Sequence, residues 1–207
     1  MPKKQYDLGG NLGQLELNWN FSQTKFEAKL NGAVLGECTG KEARQGKEFL
    51  LPDASVLKIK LAMIFLSYEI QLFRNGQPLA GSAADPYEQI KQAKGVAYFI
   101  GGLSAVLGLV AELAPVEVLL NAGVGYAAAV EGGIFLVLGY FISKHKAWAA
   151  AAATGLLALD IIFYVQASLE SGRGGSIVAG LFVKIFLTIY LFKGYKAIRK
   201  LGSQAIN

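Results

Sequence analysis

The sequence has one cysteine and one histidine among 207 residues. Cys38 alone cannot close an internal disulfide, and with no histidine or second cysteine beside it, it offers neither a metal cluster nor an activated thiol. His145 lies between Lys144 and Lys146, where an interfacial residue of a basic loop is expected rather than a general base or ligand. No Walker phosphate loop and no HExxH pair occurs. These scarcities leave no catalytic set, no metal site and no cofactor to expect, so a non-enzymatic role is the first reading.

Charge is scarce in one half only. Residues 1–94 carry 12 Lys/Arg and 10 Asp/Glu, whereas residues 95–207 carry 8 and 5, gathered in short patches between long apolar runs. The second half therefore reads as a membrane domain. The formal charge of +5 does not indicate nucleic acid, because the basic residues cluster beside apolar runs, at 144–146 and 193–200, as topology signals do. Residues 1–10 lack the apolar core of a secretory leader. With the lone cysteine, that points to a polar half that stays in the cytoplasm.

The polar half is full of alternation. Leu15, Leu17, Trp19 and Phe21 point one way while Glu16, Asn18 and Asn20 point the other; Leu57, Ile59 and Leu61 alternate with Lys58 and Lys60. That is the period of half-buried strands. Two Asn-Gly pairs, Asn31-Gly32 and Asn75-Gly76, supply hairpin turns. The stretches "FEAKLNGAVLG" and "YEIQLFRNGQPLAG" around them share an aromatic-Glu start, leucines and a closing glycine. Internal duplication and the shared chemistry of hairpins both account for this. The expected fold class is an α+β membrane protein: a small antiparallel β-sandwich or barrel over 1–82, a helical stalk over 83–94, and a four-helix transmembrane bundle with a basic tail over 95–207.

The stalk is expected from "ADPYEQ": Asp85 caps, Pro86 takes the first helical position, and Glu88 the third. Its helix runs on into the first of four spans, at 96–113, 119–142, 147–169 and 176–192, each near the ~20 residues that cross about 30 Å of hydrocarbon. The joints alternate between acidic (Glu112, Glu117), basic (Lys144, Lys146) and nearly neutral (Glu170, Arg173), ahead of a basic tail. The positive-inside rule then puts both termini in the cytoplasm, as a multi-pass protein of a plasma (inner) or other energy-transducing membrane. Tyr140 and Trp148 fall where an aromatic belt is expected.

Three ionisable residues fall inside the spans: Glu131, Asp160 and Lys184. At ~1.5 Å per residue all three lie about 13 to 20 Å from the cytoplasmic surface, in one layer where an unpaired charge costs about 2.5–3.5 kcal/mol. Two acids and one base offset that cost by pairing. Tyr164, one turn from Asp160, is a candidate hydrogen-bond partner, and Thr188 continues a small and polar stripe with Ser176, Gly180 and Lys184. Glycines at 101, 108, 125, 132, 139 and 180 mark faces where helices approach closely. "GVGYAA" at 123–128 imitates a dinucleotide fingerprint but sits in an apolar span, so packing explains it. "GGNLG" and "SGRGG" read as loops.

Two functions fit. In the first, the β domain binds a partner or ligand and the helices anchor it, as a subunit or assembly factor of a larger membrane complex or as a homo-oligomer, with the charged layer as structural glue. In the second, the same layer lines a small channel or transporter. A lipid-modifying enzyme is third.

Overall fold

The structure is a computed structural model describing residues 2–9, 12–64, 67–114, 125–170 and 174–204, with side chains for all of these except 67, 167, 168, 174–179 and 204. Glu117, the start of the expected second span at 119–124, Arg173 and the Ser176 side chain lie outside that set. The chain divides into two compact units, Met1–Glu88 and Gln89–Asn207.

The first unit contains two antiparallel four-stranded sheets. Strands β1 (Lys3–Asp7), β2 (Gln14–Trp19), β3 (Lys25–Leu30) and β4 (Ala33–Thr39) form one in sequence order; β5 (Lys47–Leu50), β6 (Val56–Ile64), β7 (Ser67–Arg74) and β8 (Gln77–Pro78) form the other. Helix α1 (Gly40–Gln45) joins them. It starts because Thr39 and Glu42 form a capping box, the Glu42 carboxylate accepting from Thr39 N at 2.8 Å. It stops at Gly46, whose φ of 91° needs a glycine.

Alternation makes the core. Leu15, Leu17, Phe26 and Ala28 of the first sheet share one cluster with Leu57, Ile59, Leu61 and Leu72 of the second, all of them buried. Each fully buried leucine or phenylalanine contributes about 1.5–3 kcal/mol.

The sheets repeat each other. Leu15 pairs Leu30 as Leu57 pairs Arg74, Leu17 pairs Ala28 as Ile59 pairs Leu72, and Trp19 pairs Phe26 as Leu61 pairs Ile70. Asn31 and Asn75 open the two Asn-Gly turns at φ of 51° and 49°. Arg74 therefore occupies the inward position that Leu30 holds in the first sheet.

The second unit is helical: α2 (Pro86–Leu113, from Gln89 on), α3 (Tyr126–Ser143), α4 (Ala147–Glu170) and α5 (Gly174–Gln204). Asp85 caps α2 by accepting from Tyr87 N at 2.9 Å, and its other oxygen accepts from Gly81 N at 2.8 Å. Within the expected stalk, 83–94, Ile90 and Ala93 are buried in the core of the helical unit. Among the described residues, three helices are long and apolar enough to cross a membrane: α2, α3 and the 147–166 part of α4. With 18 residues, α3 rises about 27 Å, close to the hydrocarbon thickness. α5 is 31 residues long but carries Lys184, Lys193, Lys196, Arg199 and Lys200, and it is not among the three.

One core joins all four helices near the α3–α4 turn. Ala97 of α2, Phe135 and Ile142 of α3, Ala150 and Leu157 of α4, and Leu191 of α5 are all buried in it. Alanine is frequent in this core because small side chains let helices approach closely.

Candidate functional site

Asp160 lies on α4 three residues beyond Leu157, the last described core residue of that helix. Lys184 lies on α5, and its ammonium donates to Asp160 Oδ2. Both side chains are partly exposed, 33% for Asp160 and 25% for Lys184. The pair thus sits at the edge of the shared core, not inside it.

Tyr164 joins this pair through its ring. The Lys184 ammonium stands 4.8 Å from the Tyr164 ring centroid, so the lysine is held by a carboxylate and a π-face together. The expected Tyr164–Asp160 hydrogen bond is not what forms: the phenol reaches across to α5 and lies against Gly180. A Cβ on Gly180 would stand 2.5 Å from Tyr164 Oη. Gly180 is thus room for an aromatic ring, not a backbone–backbone contact.

Two expected members stand apart. The Thr188 hydroxyl donates to Lys184 O at 2.8 Å, within its own helix, a bond always within reach of a helical threonine. Glu131 on α3 is half-buried and feels the charges of both Asp160 and Lys184, yet among the described residues the direct ion pair in this layer is Asp160–Lys184 alone. The layer is a two-residue clasp with a third charge at longer range.

The remaining glycines define the α2–α3 contact. A Cβ on Gly132 would stand 2.4 Å from Ala105 N and 2.7 Å from Gly101 O, and one on Gly108 would stand 2.4 Å from Ala129 N and 2.8 Å from Gly125 O. Gly101 faces Gly132 O at 2.9 Å in the same way, and Gly139 lies under the Tyr98 ring. Backbones in such contact gain dispersion and Cα–H···O interactions that larger residues would prevent. Glu112 completes the hairpin by accepting from Tyr126 N at 2.9 Å, a carboxylate on the positive end of α3.

In the β unit, a polar network not expected from the sequence surrounds Arg74. Its guanidinium donates to Asp53 Oδ2 at 2.6 Å, Leu8 O at 2.6 Å and Ser55 Oγ at 3.1 Å. Since Leu8 follows β1 and Arg74 ends β7, this side chain ties the two sheets together. The Ser55 hydroxyl, then the Ser55 amide and Arg74, hold the Asp53 carboxyl down at about 2. Carrying the alternation of Ile70 and Leu72 one step further would have placed Arg74 inward.

Phe21, expected on one strand face with Leu15, Leu17 and Trp19, lies instead beyond the end of β2, in the β2–β3 connection, and is 97% exposed. Asn20 fixes the connection: its Oδ1 accepts from Thr24 N at 2.8 Å and Lys25 N at 3.1 Å, and its amide donates to Thr24 Oγ1 at 2.7 Å. Alongside lies a cavity of about 270 Å³ lined by Trp19, Lys25, Phe26, Glu27 and Glu37 together with Asn18. Cys38 is buried, and burial foremost pushes its thiol up to about 11, so it is a neutral thiol at physiological pH. Among the described residues no group of three or more His, Cys, Asp or Glu could hold a metal ion.

In comparisons with protein-family profiles, curated proteins and solved structures, nothing matches this chain.

Proposed function

We propose that this chain is a non-enzymatic multi-pass membrane protein whose four helices, α5 included, span the bilayer with both termini in the cytoplasm. Its β unit binds a protein partner, and the protein serves as a subunit or assembly factor of a larger membrane complex. The observation that carries this reading is Phe21, a full aromatic side chain exposed at 97% on a connection that Asn20 holds rigid. An exposed aromatic on a hydrogen-bonded connection presents a large apolar side chain with little backbone left to order on docking, which suits an interface anchor. The Asp160–Lys184 clasp supports the anchoring role, since a charge satisfied by its neighbouring helix needs no water or ion.

The test is site-specific photo-crosslinking from position 21 in intact membranes, alongside alkaline carbonate extraction and cysteine accessibility at both ends of the chain. A discrete adduct with another membrane protein, lost when the probe is moved to the buried position 17, is the expected result. A chain that always purifies alone, without adducts, sinks the partner reading.

A second reading has its own support. The partial exposure of Asp160 and Lys184, with Glu131 nearby, favours a small channel or transporter lined by this layer. Proteoliposome flux that disappears in Asp160→Asn and Glu131→Gln while folding survives is its signature; absence of flux from the wild type rules it out.

A further inference from the structure

We propose that the groove between α2 and α5 holds one acyl chain of an anionic phospholipid, with Lys193 reading the headgroup. This inference rests on the membrane reading above and adds to it a specific site.

The groove is about 310 Å³ and is lined by Gln92, Gly95, Val96, Phe99, Phe186 and Tyr190. Positions 92, 95, 96 and 99 fall on one face of α2, and 186 and 190 lie one turn apart on α5. The helices touch at Gly194, where a Cβ would stand 2.2 Å from Ala93 Cβ. Just beyond that contact Gly95 has no side chain to fill the space, and a Cβ there would meet nothing within 4 Å. The Phe186 and Tyr190 rings, 4.7 Å apart, form an aromatic wall. Such a slot fits a hydrocarbon chain.

Its two ends differ in chemistry. Phe99 and Phe186 are at the deep end, whereas Gln92 and Tyr190 are at the end toward the basic tail. There the Lys193 ammonium stands 5.0 Å from the Tyr190 ring centroid, and Lys196, Arg199 and Lys200 follow on the same helix. An occupant must be apolar along its length and anionic at its head. Basic sites between helices on the cytoplasmic side take anionic lipid headgroups for this reason. A second copy of the chain fits poorly, because docking through this face would bring two such lysine clusters together.

The test is native mass spectrometry of the full-length protein in gentle detergent, titrated separately with phosphatidylglycerol and phosphatidylcholine. The wild type should retain phosphatidylglycerol at about fivefold lower lipid concentration, the worth of one lysine at a membrane surface. Lys193→Gln should erase that preference while still retaining lipid. Gly95→Leu, which fits the free space and favours the helix, should melt no lower than the wild type and lose both lipids. Equal retention of the two lipids by the wild type, or undiminished retention by Gly95→Leu, overturns the proposal. A dimer that Gly95→Leu dissociates, with no lipid bound, also overturns it and assigns the groove to a second copy. A chain stripped from membranes by carbonate overturns the membrane reading itself; a carbonate-resistant chain without bound lipid overturns only the groove.

Discussion

Asn31 and Asn75 do the same work in two different sheets. Asn31 Oδ1 accepts from Gln14 N at 2.9 Å while its backbone N donates to Gln14 O; Asn75 Oδ1 accepts from Val56 N at 2.8 Å while its backbone N donates to Val56 O. Each residue sits at positive φ, opens an Asn-Gly turn and fastens the start of the second strand of its sheet. Together with the matched registers of β2–β3 and β6–β7, this makes the β unit two copies of one four-strand device.

Equivalent roles predict equivalent losses. Asn31→Gly and Asn75→Gly keep the backbone conformation but remove the side-chain acceptor, so each should cost about 0.5–1.5 kcal/mol, Asn31→Gly toward the upper end because it also loses the Nδ2 donation to Leu12 O. Hydrogen exchange on the full chain should show Gln14 losing protection in the first variant and Val56 in the second, by similar factors. Loss confined to one of the two would separate the sheets functionally.

Acid should weaken the β unit in a defined window. The Asp53 carboxyl is lowered from 3.8 to about 2, and the Glu42 carboxyl from 4.5 to about 2, where the Thr39 amide and then Lys47 hold the anion. A depressed folded-state pKa contributes stability fully present above the unfolded value and lost as pH falls toward the folded one. The unfolding midpoint should therefore be flat near pH 7 and fall between about pH 4.5 and pH 2. Asp53→Asn should flatten part of that fall and lower the midpoint at pH 7.

Two adjacent glycines should behave oppositely. Gly132 lies against the α2 backbone, whereas a Cβ on Gly133 meets nothing within 4 Å. Gly132→Ala should destabilise by about 1–3 kcal/mol through overpacking. Gly133→Ala should be neutral or stabilise by up to about 1 kcal/mol through helix propensity. Thermal unfolding in detergent reads both.

Phe21→Ala should leave the melting temperature unchanged, since its ring contributes no buried area, while abolishing co-purification with any partner. A lower melting temperature would give Phe21 a structural role instead.

Much of the β unit was legible because period-two alternation records directly which residues face the core, and because Asn-Gly turns carry their own conformational preference. The "TGKE" capping box that starts α1 is legible in the same way, although its helix is too short to show a period. In the helical unit, counting put Asp160 and Lys184 at one level of their helices, and there the two side chains meet. What counting cannot supply is rotation about each helix axis and the choice among partners. Tyr164 therefore turned to Lys184 instead of Asp160, Thr188 turned to its own backbone, and Glu131 stood off from the pair. The α2–α5 groove has no signature in sequence, since it arises where two helices diverge beyond the Gly194–Ala93 contact.

The clasp between α4 and α5 is most directly tested by exchanging its charges. Asp160→Lys and Lys184→Asp each place like charges together in an apolar layer, and each should lower stability by up to about 2.5–3.5 kcal/mol, less for the partial exposure of both groups. The double variant restores an ion pair of reversed polarity. In thermal unfolding of the full chain in bicelles, the account predicts that the double variant recovers most of the stability that either single loses. Losses that simply add in the double variant, or singles as stable as the wild type, would contradict it.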